Sequence, residues 1–285
     1  MVPLGLLYAS LRRYPALKEV SFEWLKNAMK SLPEDDETET QDNKRKKWVS
    51  YERLCEIPRL LREDAAKRLK KGTKRYAEAM RNALLIEWLL VLPWRQRNLR
   101  EMRLGDRAAG ANIFRDRVSD EPTLARPASV EAAVKQNGDD DFWHFYFRAS
   151  ETKNKHAVHG LLLKQLVERL EEYLKEYRPL LINGSDPGTV FVDGQGHPFS
   201  ARSLRYLVIN IAVRYVGRRV NPHLFRDIFA VAYLADRPED YLTLAKILWH
   251  RDVKTTIRLY GRNFDESHGA RRAEDWLEER TKRKK

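Results

Sequence analysis

Four residues in the last quarter of the 285-residue chain have types and a spacing suited to phosphate chemistry. His223 and Arg226 are three residues apart, so on a helix both lie on one face and can reach the same ligand. The first turn of a helix favours an anion, and a planar guanidinium can hold two phosphate oxygens at once. Further along, His250 adds a group that can move a proton, and Tyr260 adds a hydroxyl that can act as a nucleophile. This ordered set predicts a site for phosphodiester chemistry.

The residues around this set have the features of helices that could position it. Asn221 is a favoured N-cap residue, and Pro222 suits the first helical position, where its missing N–H has no consequence. Upstream, apolar residues recur at three and four spacing over 50–63 and 74–92, which predicts two helices, and Pro93 ends the second. Arg95 therefore lies at the exit of an apolar helix. The segment after it predicts a further helix that ends at Asp106.

The middle of the chain changes from helical spacing to a strand-like composition. Residues 142–147 and 158–163 are rich in aromatic, β-branched and aliphatic side chains, and the polar segment 152–155 between them predicts a hairpin turn. Residues 111–114 supply a possible third strand, and residues 162–181 return to a helical pattern. We therefore predict a mainly α fold with a small antiparallel β-sheet, an α+β class.

The charge distribution predicts a short N-terminal extension and one larger domain. Residues 1–43 carry a net charge of −3, with a helical pattern over 22–32 and an acidic segment over 34–42 that has no bulky apolar residue. We interpret that segment as a linker. Residues 44–285 carry a net charge of +16 and form the predicted main domain, which ends in an amphipathic, basic tail helix over 270–285.

The net charge of +13 and the pI near 9.7 make a polyanion, and nucleic acid first of all, the expected partner. The predicted contacts to a DNA backbone are a basic arm and a cluster of arginines: Lys44, Arg45, Lys46, Lys47, Arg214, Arg218 and Arg219. The arm could equally be a solvated segment that binds nothing.

A single cysteine, Cys55, allows no intramolecular disulfide, which fits a reducing compartment. No apolar stretch is long enough to span a bilayer. We expect a cytoplasmic protein without membrane contacts, associated with the nucleoid if its source is bacterial or archaeal.

Taken in order, these motifs resemble the tyrosine recombinase, or phage integrase, family. That family has an arginine at a helix junction with an aspartate eleven residues on, as Arg95 and Asp106 are here. It then has a lysine in a β-hairpin turn, where this chain has Lys153. An H-x-x-R box, a second histidine and a C-terminal tyrosine follow, and these correspond to His223, Arg226, His250 and Tyr260. The resemblance covers about residues 48–264.

The resemblance implies the fold of the family's catalytic domain and its metal-free strand exchange. Arg95 and Arg226 would clamp the scissile phosphate, and the two histidines would donate to or relay protons at its oxygens. Lys153 would protonate the departing 5′ hydroxyl, while Tyr260 would attack and form a 3′-phosphotyrosyl link. The resemblance also implies that no metal or cofactor is needed and that the protein acts as a homotetramer on double-stranded DNA. The tail helix would then contact a neighbouring subunit, or else pack on its own domain.

The chain departs from the family pattern at three positions. Asn98 stands where the family often has an acidic residue, and Trp249 replaces a glycine before the second histidine. Tyr260 falls ten residues after His250 instead of nine, with Leu259 at the usual place. The chain also has only some 43 residues where the family carries a separate core-binding domain.

Several alternatives stay open. A non-catalytic DNA-binding relative would keep the arginines, and a type IB topoisomerase would use the same chemistry. A metal-dependent nuclease could use Asp139, Asp140 and Asp141, although consecutive acids point in different directions. Lys155 is the rival of Lys153 in the turn.

Overall fold

The structure is a computed structural model that describes residue 23, residues 46–125 and residues 128–261. The chain divides into two units, Met1–Lys46 and Lys47–Lys285, and the helices and strands from Tyr51 to Tyr260 belong to the second. Most of the predicted N-terminal helix, the acidic linker, Lys44, Arg45 and the tail helix lie outside the described residues. These features, and the predicted boundary between residues 43 and 44, stay predictions.

The first helices of the second unit are α1 (Tyr51–Cys55), α2 (Ile57–Arg68), α3 (Lys74–Val91) and α4 (Gln96–Glu101). Helix α3 is buried along most of its length, as its apolar spacing predicts, and the Thr73 side chain caps it by accepting from the Tyr76 amide at 3.3 Å. The helix predicted over 50–63 is split at Glu56, because Pro58 begins a new helix in its first turn.

Helix α4 is shorter than predicted, since it ends at Glu101 and not at Asp106. The chain from Met102 onward is extended, because its backbone groups pair with other segments. Arg103 bridges to Thr189, and Leu104 bridges to Ile113. Tertiary pairing thus ends a helix that its own sequence would continue.

The predicted small sheet is present, with strands β1 (Ile113–Arg117), β2 (Asp141–Phe147) and β3 (Val158–Leu161) in antiparallel order β1-β2-β3. Gly160 pairs with Phe145, and a Cβ atom at Gly160 would lie 2.5 Å from that ring, so a larger residue there would require the ring to move. A helix that the sequence pattern did not predict, α5 (Ala128–Asn137), connects β1 to β2.

The rest of the unit is helical. Helix α6 (Lys164–Glu172) continues through the π-helical stretch Tyr173–Tyr177 into α7 (Arg178–Leu181), as the pattern over 162–181 predicts. There follow α8 (Ala201–Val216), α9 (Pro222–Asp236), α10 (Tyr241–Ile247) and α11 (Val253–Tyr260). Asn221 caps α9, because its Oδ1 accepts from the Leu224 amide at 2.8 Å. The mainly α fold with a small antiparallel sheet is therefore confirmed.

Two hydrophobic clusters meet near the end of α10. The larger is built around α3 and includes Trp88, Trp94 and Trp249, whereas the smaller joins α9, α10 and α11 and includes Leu248 and Tyr260. The adjacent residues Leu248 and Trp249 thus belong to different clusters, and the boundary between the two clusters lies at this point of the chain. None of the helices within residues 46–125 and 128–261 combines the length and the apolar character of a membrane span.

Candidate active site

Arg226 ties three parts of the chain together. Its side chain is 4% exposed, and its Nη1 donates to the backbone carbonyl of Pro93 at 2.7 Å. Its Nη2 donates to the carbonyl of Leu248. These contacts attach two other segments to α9, namely the junction of α3 and α4 and the end of α10. Arg95 lies two residues after Pro93 and His250 lies two residues after Leu248, so both are brought close to Arg226.

Two arginines lie close together in this region. Arg95 is half-buried and is the N-cap residue of α4, with an extended backbone. Burial lowers the pKa of Arg226 to about 10, and the nearby positive charge of Arg95 contributes to the same shift. Both side chains still carry their charge at neutral pH. Two neighbouring cations with restricted access to water are suited to binding a phosphate.

Tyr260 is the tyrosine that faces this cluster. It is the last residue of α11, it is 5% exposed, and its hydroxyl donates to Asp227 Oδ1 at 3.0 Å. Burial first, and then the Asp227 carboxylate, raise the pKa of this phenol above its usual range. Leu259, which has the family's usual spacing, is 53% exposed. The extra residue after His250 therefore leaves the tyrosine turned inward.

Asp227 was missed by the sequence reasoning. It directly follows Arg226 and is buried on α9 between Phe225 and Ile228. The available signal was a carboxylate next to Arg226 in a mostly apolar run, because acidic residues are rarely buried without a partner. Its partner lies 33 residues further along the chain.

His250 is held in a neutral form. Burial lowers its pKa to about 4, and the charges of Arg226 and Arg95 add to that effect. Its Nδ1 lies 2.8 Å from the hydroxyl of buried Thr256, a second residue that the sequence reasoning missed. If Thr256 donates to Nδ1, the other ring nitrogen carries the proton and can donate a hydrogen bond to a phosphate oxygen. The only sequence signal for Thr256 was its place between His250 and Tyr260.

His223 and Lys153 are both exposed. His223 lies on the first turn of α9, one turn before Arg226. Lys153 lies in the turn before β3, and its neighbour Asn154 donates from Nδ2 to the Trp249 carbonyl. The lysine turn is thereby attached to the residue that precedes His250.

Asn98 holds the same turn from the other side. Its amide group is buried and donates to the carbonyl of Glu151 at 3.0 Å. An acidic residue at this position could not donate that hydrogen bond. The departure from the family pattern thus has a structural reason in this chain.

The bulk of Trp249 lies in the core and not in the site. Its ring is buried, with ring centroids 4.9 Å from Trp94 and 5.1 Å from Phe147. Its backbone φ of 51° is left-handed, at a helix end where the His250 amide donates back to Ala245. Glycine favours this conformation, which accounts for the family's glycine there.

The residues predicted to bind DNA differ in their surroundings. Arg218 and Arg219 are exposed between α8 and α9, whereas Arg214 pairs with Asp64 at 2.6 Å. Lys46 is exposed and Lys47 is half-buried. These positions are compatible with DNA contacts but do not test them.

The three consecutive aspartates lie against the sheet. Asp141 pairs with Arg115 at 2.8 Å, and Asp140 accepts from Ser119 at 2.6 Å. In residues 46–125 and 128–261, no group of three or more His, Cys, Asp or Glu side chains is arranged to hold a metal ion. This geometry gives the metal-dependent nuclease hypothesis no support.

Curated proteins with a similar segment are tyrosine recombinases. Tyrosine recombinase XerC of Stutzerimonas stutzeri is 32% identical over 89 residues, which is 31% of this chain and 29% of that protein. Tyrosine recombinase XerD of Lacticaseibacillus casei is 32% identical over 93 residues, 32% of this chain and 31% of that protein. The match thus spans less than a third of the length of these relatives. No family model matches the chain.

Solved structures with a similar backbone are also recombinases, at low identity. XerH site-specific recombinase bound to a palindromic difH substrate has a TM-score of 0.49 and 17% identity, covering 80% of this chain and 53% of that chain. XerA recombinase has a TM-score of 0.48 and 15% identity, covering 80% of this chain and 64% of that chain.

Proposed function

We propose that the chain is a member of the tyrosine recombinase family and a site-specific recombinase that cleaves and rejoins DNA through a 3′-phosphotyrosyl intermediate. The segment that it shares with tyrosine recombinases XerC and XerD supports this proposal. The observation that carries this proposal is the gathering of Arg95, Arg226 and His250 around a buried tyrosine, Tyr260. The Arg226 guanidinium donates hydrogen bonds to the backbone carbonyls of Pro93 and Leu248, and these bonds join segments that are far apart in sequence.

In the proposed reaction, the two arginines hold the non-bridging oxygens of the scissile phosphate and neutralise the charge that develops there. His250, being neutral, donates a hydrogen bond to one of these oxygens. His223, on the exposed first turn of α9, would donate to the same phosphate. The charge and the proton donors come from side chains, so the proposed reaction uses neither metal nor cofactor.

In the proposed reaction, the nucleophile and the acid act on opposite sides of the scissile phosphorus. Tyr260 attacks phosphorus, and the 5′ oxygen leaves with a proton from Lys153. The new bond is a phosphate ester to the tyrosine, so the energy of the phosphodiester is kept for rejoining. Asn154 donates to the Trp249 carbonyl and so attaches the turn that bears Lys153 to the residue before His250. In the proposed reaction, the Lys153 ammonium group reaches the phosphate from this turn.

Double-stranded DNA, a homotetramer assembled on it, and a cytoplasmic location at the nucleoid are parts of the same proposal. The net charge of +13 supports the DNA partner.

A covalent adduct tests the proposed function. We would incubate the chain with a library of nicked duplexes that have a randomised central segment, and recover adducts that resist detergent. The wild-type chain should form an adduct in the presence of EDTA, and Tyr260→Phe should form none while it still binds DNA. The matched control is Tyr233→Phe, which removes another hydroxyl that donates to an aspartate, at 2.6 Å, outside the site. Cleavage that needs a divalent metal and leaves no adduct would overturn the proposal.

The burial of the Tyr260 hydroxyl favours a second candidate, a relative that binds DNA without cleaving it. In that case the wild-type chain would shift the duplexes in a gel, and neither it nor Tyr260→Phe would form an adduct. A topoisomerase would instead form adducts and also relax a supercoiled plasmid without exchanging strands.

A further inference from the structure

We propose that Asp227 is a catalytic residue that takes the proton of the Tyr260 hydroxyl during attack and returns it during rejoining. This assignment rests on the proposed function, since it concerns the same reaction. It goes beyond the residues that the sequence motifs name, because Asp227 belongs to none of them.

The first support is the contact itself. The Tyr260 hydroxyl, which is the reacting atom, donates to Asp227 Oδ1 at 3.0 Å, within the range of a hydrogen bond along which a proton can transfer. Both side chains are buried, so the carboxylate and not bulk water is next to the phenol. The proton acceptor and the nucleophile are thus already paired before DNA binds.

The second support is the chemistry of the neighbours. Arg95, Arg226 and Lys153 carry N–H donors and no acceptor, so none of them can take a proton from the phenol. His250 has one acceptor nitrogen in its neutral form, but its Nδ1 faces the Thr256 hydroxyl at 2.8 Å. Asp227 Oδ1, by contrast, is an acceptor that the Tyr260 hydroxyl already contacts.

The third support is the way in which Asp227 is held. It directly follows Arg226 on α9, so any movement of that helix carries the phosphate-binding arginine and the proton acceptor together. The positive charges of Arg226 and Arg95 also offset the repulsion between a carboxylate and a phosphodiester. A base can therefore lie next to the nucleophile without excluding the substrate.

The proton balance closes within the site. As the Tyr260 oxygen bonds to phosphorus, its proton passes to the Asp227 carboxylate, and the bond from phosphorus to the 5′ oxygen breaks as that oxygen takes a proton from Lys153. Rejoining reverses both transfers, because a 5′ hydroxyl gives its proton to Lys153 and the leaving phenolate regains its own from Asp227. No oxidant, reductant or metal enters the step.

The variant Asp227→Asn tests whether Asp227 accepts the proton or only supports the structure of the site. Asparagine keeps the acceptor oxygen and the size of the side chain but cannot take the proton. We expect its single-turnover rate of adduct formation to fall at least about 100-fold, the lower limit of typical base catalysis, with unchanged DNA binding. The matched control is Asp240→Asn, which makes the same change at the Tyr233–Asp240 pair and leaves an equally good N-cap for α10. Its rate should equal that of wild type.

A more acidic nucleophile gives a readout that a purely structural role would not move. With 3,5-difluorotyrosine incorporated at position 260, the phenol needs less help from a base. We expect this substitution to recover a large part of the rate lost in Asp227→Asn and to change the wild-type rate little.

The outcomes are distinct. Equal rates for wild type and Asp227→Asn would overturn the assignment and leave the proposed function standing. A loss in Asp227→Asn that difluorotyrosine does not recover would make Asp227 a positioning residue and also overturn it. Absence of any adduct with the wild-type chain would overturn the proposed function, and with it this role for Asp227.

Discussion

At the scale of single residues, the candidate site combines cations with a nucleophile that starts protonated. Burial and the Asp227 carboxylate raise the pKa of Tyr260 above its usual range, so the phenolate is absent at neutral pH. The arginines act in the opposite sense, since their charges favour the phenolate. A phosphate that brings DNA into the site would therefore meet a tyrosine that must lose its proton in the same step.

Lys153 can be tested as the general acid by making the leaving group independent of it. A duplex with a 5′-bridging sulfur at the scissile position has a leaving group that needs no proton. We expect Lys153→Ala to slow adduct formation at least about 100-fold on the oxygen substrate and to cleave the sulfur substrate at the wild-type rate.

The control for this experiment is Lys155→Ala, two residues away in the same exposed turn. Lys155 has a left-handed φ of 56°, and alanine meets the same backbone strain as lysine there, so the change removes only the charge. If Lys155→Ala, and not Lys153→Ala, slows adduct formation on the oxygen substrate alone, then Lys155 is the general acid and the assignment to Lys153 is wrong.

At the scale of elements, two histidines connect the strands of the sheet. His144 on β2 and His159 on β3 lie 3.2 Å apart through Nδ1 and Nε2, and the Thr123 hydroxyl lies 2.8 Å from the other nitrogen of His159. Burial lowers the pKa of His159 to about 4, with His144 and Arg107 adding to the shift, and burial also lowers the pKa of His144. The sheet therefore holds both rings neutral.

This pair makes stability depend on pH in a definite direction. The unfolded chain binds a proton at His159 near pH 6.5, whereas the folded chain resists it until about pH 4. The contribution of the neutral His159 ring to stability is therefore fully present above pH 6.5, and it is lost as the pH falls towards 4. We expect the free energy of unfolding from urea titrations to be lower at pH 4 than at pH 7, with His159 contributing roughly 1 to 3 kcal/mol.

His159→Gln should reduce this dependence, because one of the protons taken up on unfolding is removed. His197→Gln is the control, since His197 is exposed and its replacement should leave the slope unchanged. The same slope in wild type and His159→Gln would contradict the assignment.

Trp249 at the end of α10 combines a favourable ring with an unfavourable backbone. Removing the buried ring should cost about 3 to 5 kcal/mol, whereas the left-handed φ costs about 1 to 2 kcal/mol for a residue with a side chain. We expect both Trp249→Gly and Trp249→Ala to lower the free energy of unfolding in urea. The glycine variant should be the more stable of the two by about 1 kcal/mol, because both lack the ring and only alanine keeps the strain. Equal stabilities would show that the backbone there is unstrained.

The elements and the candidate residues differ in how far the sequence predicts them. Helices such as α3 follow from apolar spacing, and the sheet follows from composition and turns, because both signals are local. Helix α5 was missed because it has helix-forming residues without a strong apolar stripe. Asp227 and Thr256 could not be assigned roles, since their partners are set by the packing of α9, α10 and α11 and not by any local pattern.

At the scale of the whole molecule, the positive charge should govern affinity for DNA. Each phosphate contact that is lost should reduce the slope of log affinity against log salt by about 0.9. We expect the double variant Arg218→Ala, Arg219→Ala to reduce this slope by about 2, as measured by fluorescence anisotropy over a range of salt concentrations.

The control is Arg59→Ala, which removes an arginine whose charge is already met by Glu56 and Glu63 at 2.5 Å each. Its salt slope should match that of wild type. An unchanged slope in the double variant would place the DNA elsewhere on the molecule.

The two backbone contacts of Arg226 have a consequence for how its relatives should be compared. Without this guanidinium the carbonyls of Pro93 and Leu248 would lose their donors in a buried place, at a cost of about 1 to 3 kcal/mol each. In a lineage that no longer cut DNA, selection for a stable fold alone would keep the arginine, while the exposed Lys153 would be free to drift. Retention of this arginine in a descendant therefore records common ancestry of the fold, and retention of the lysine records an enzyme still in use.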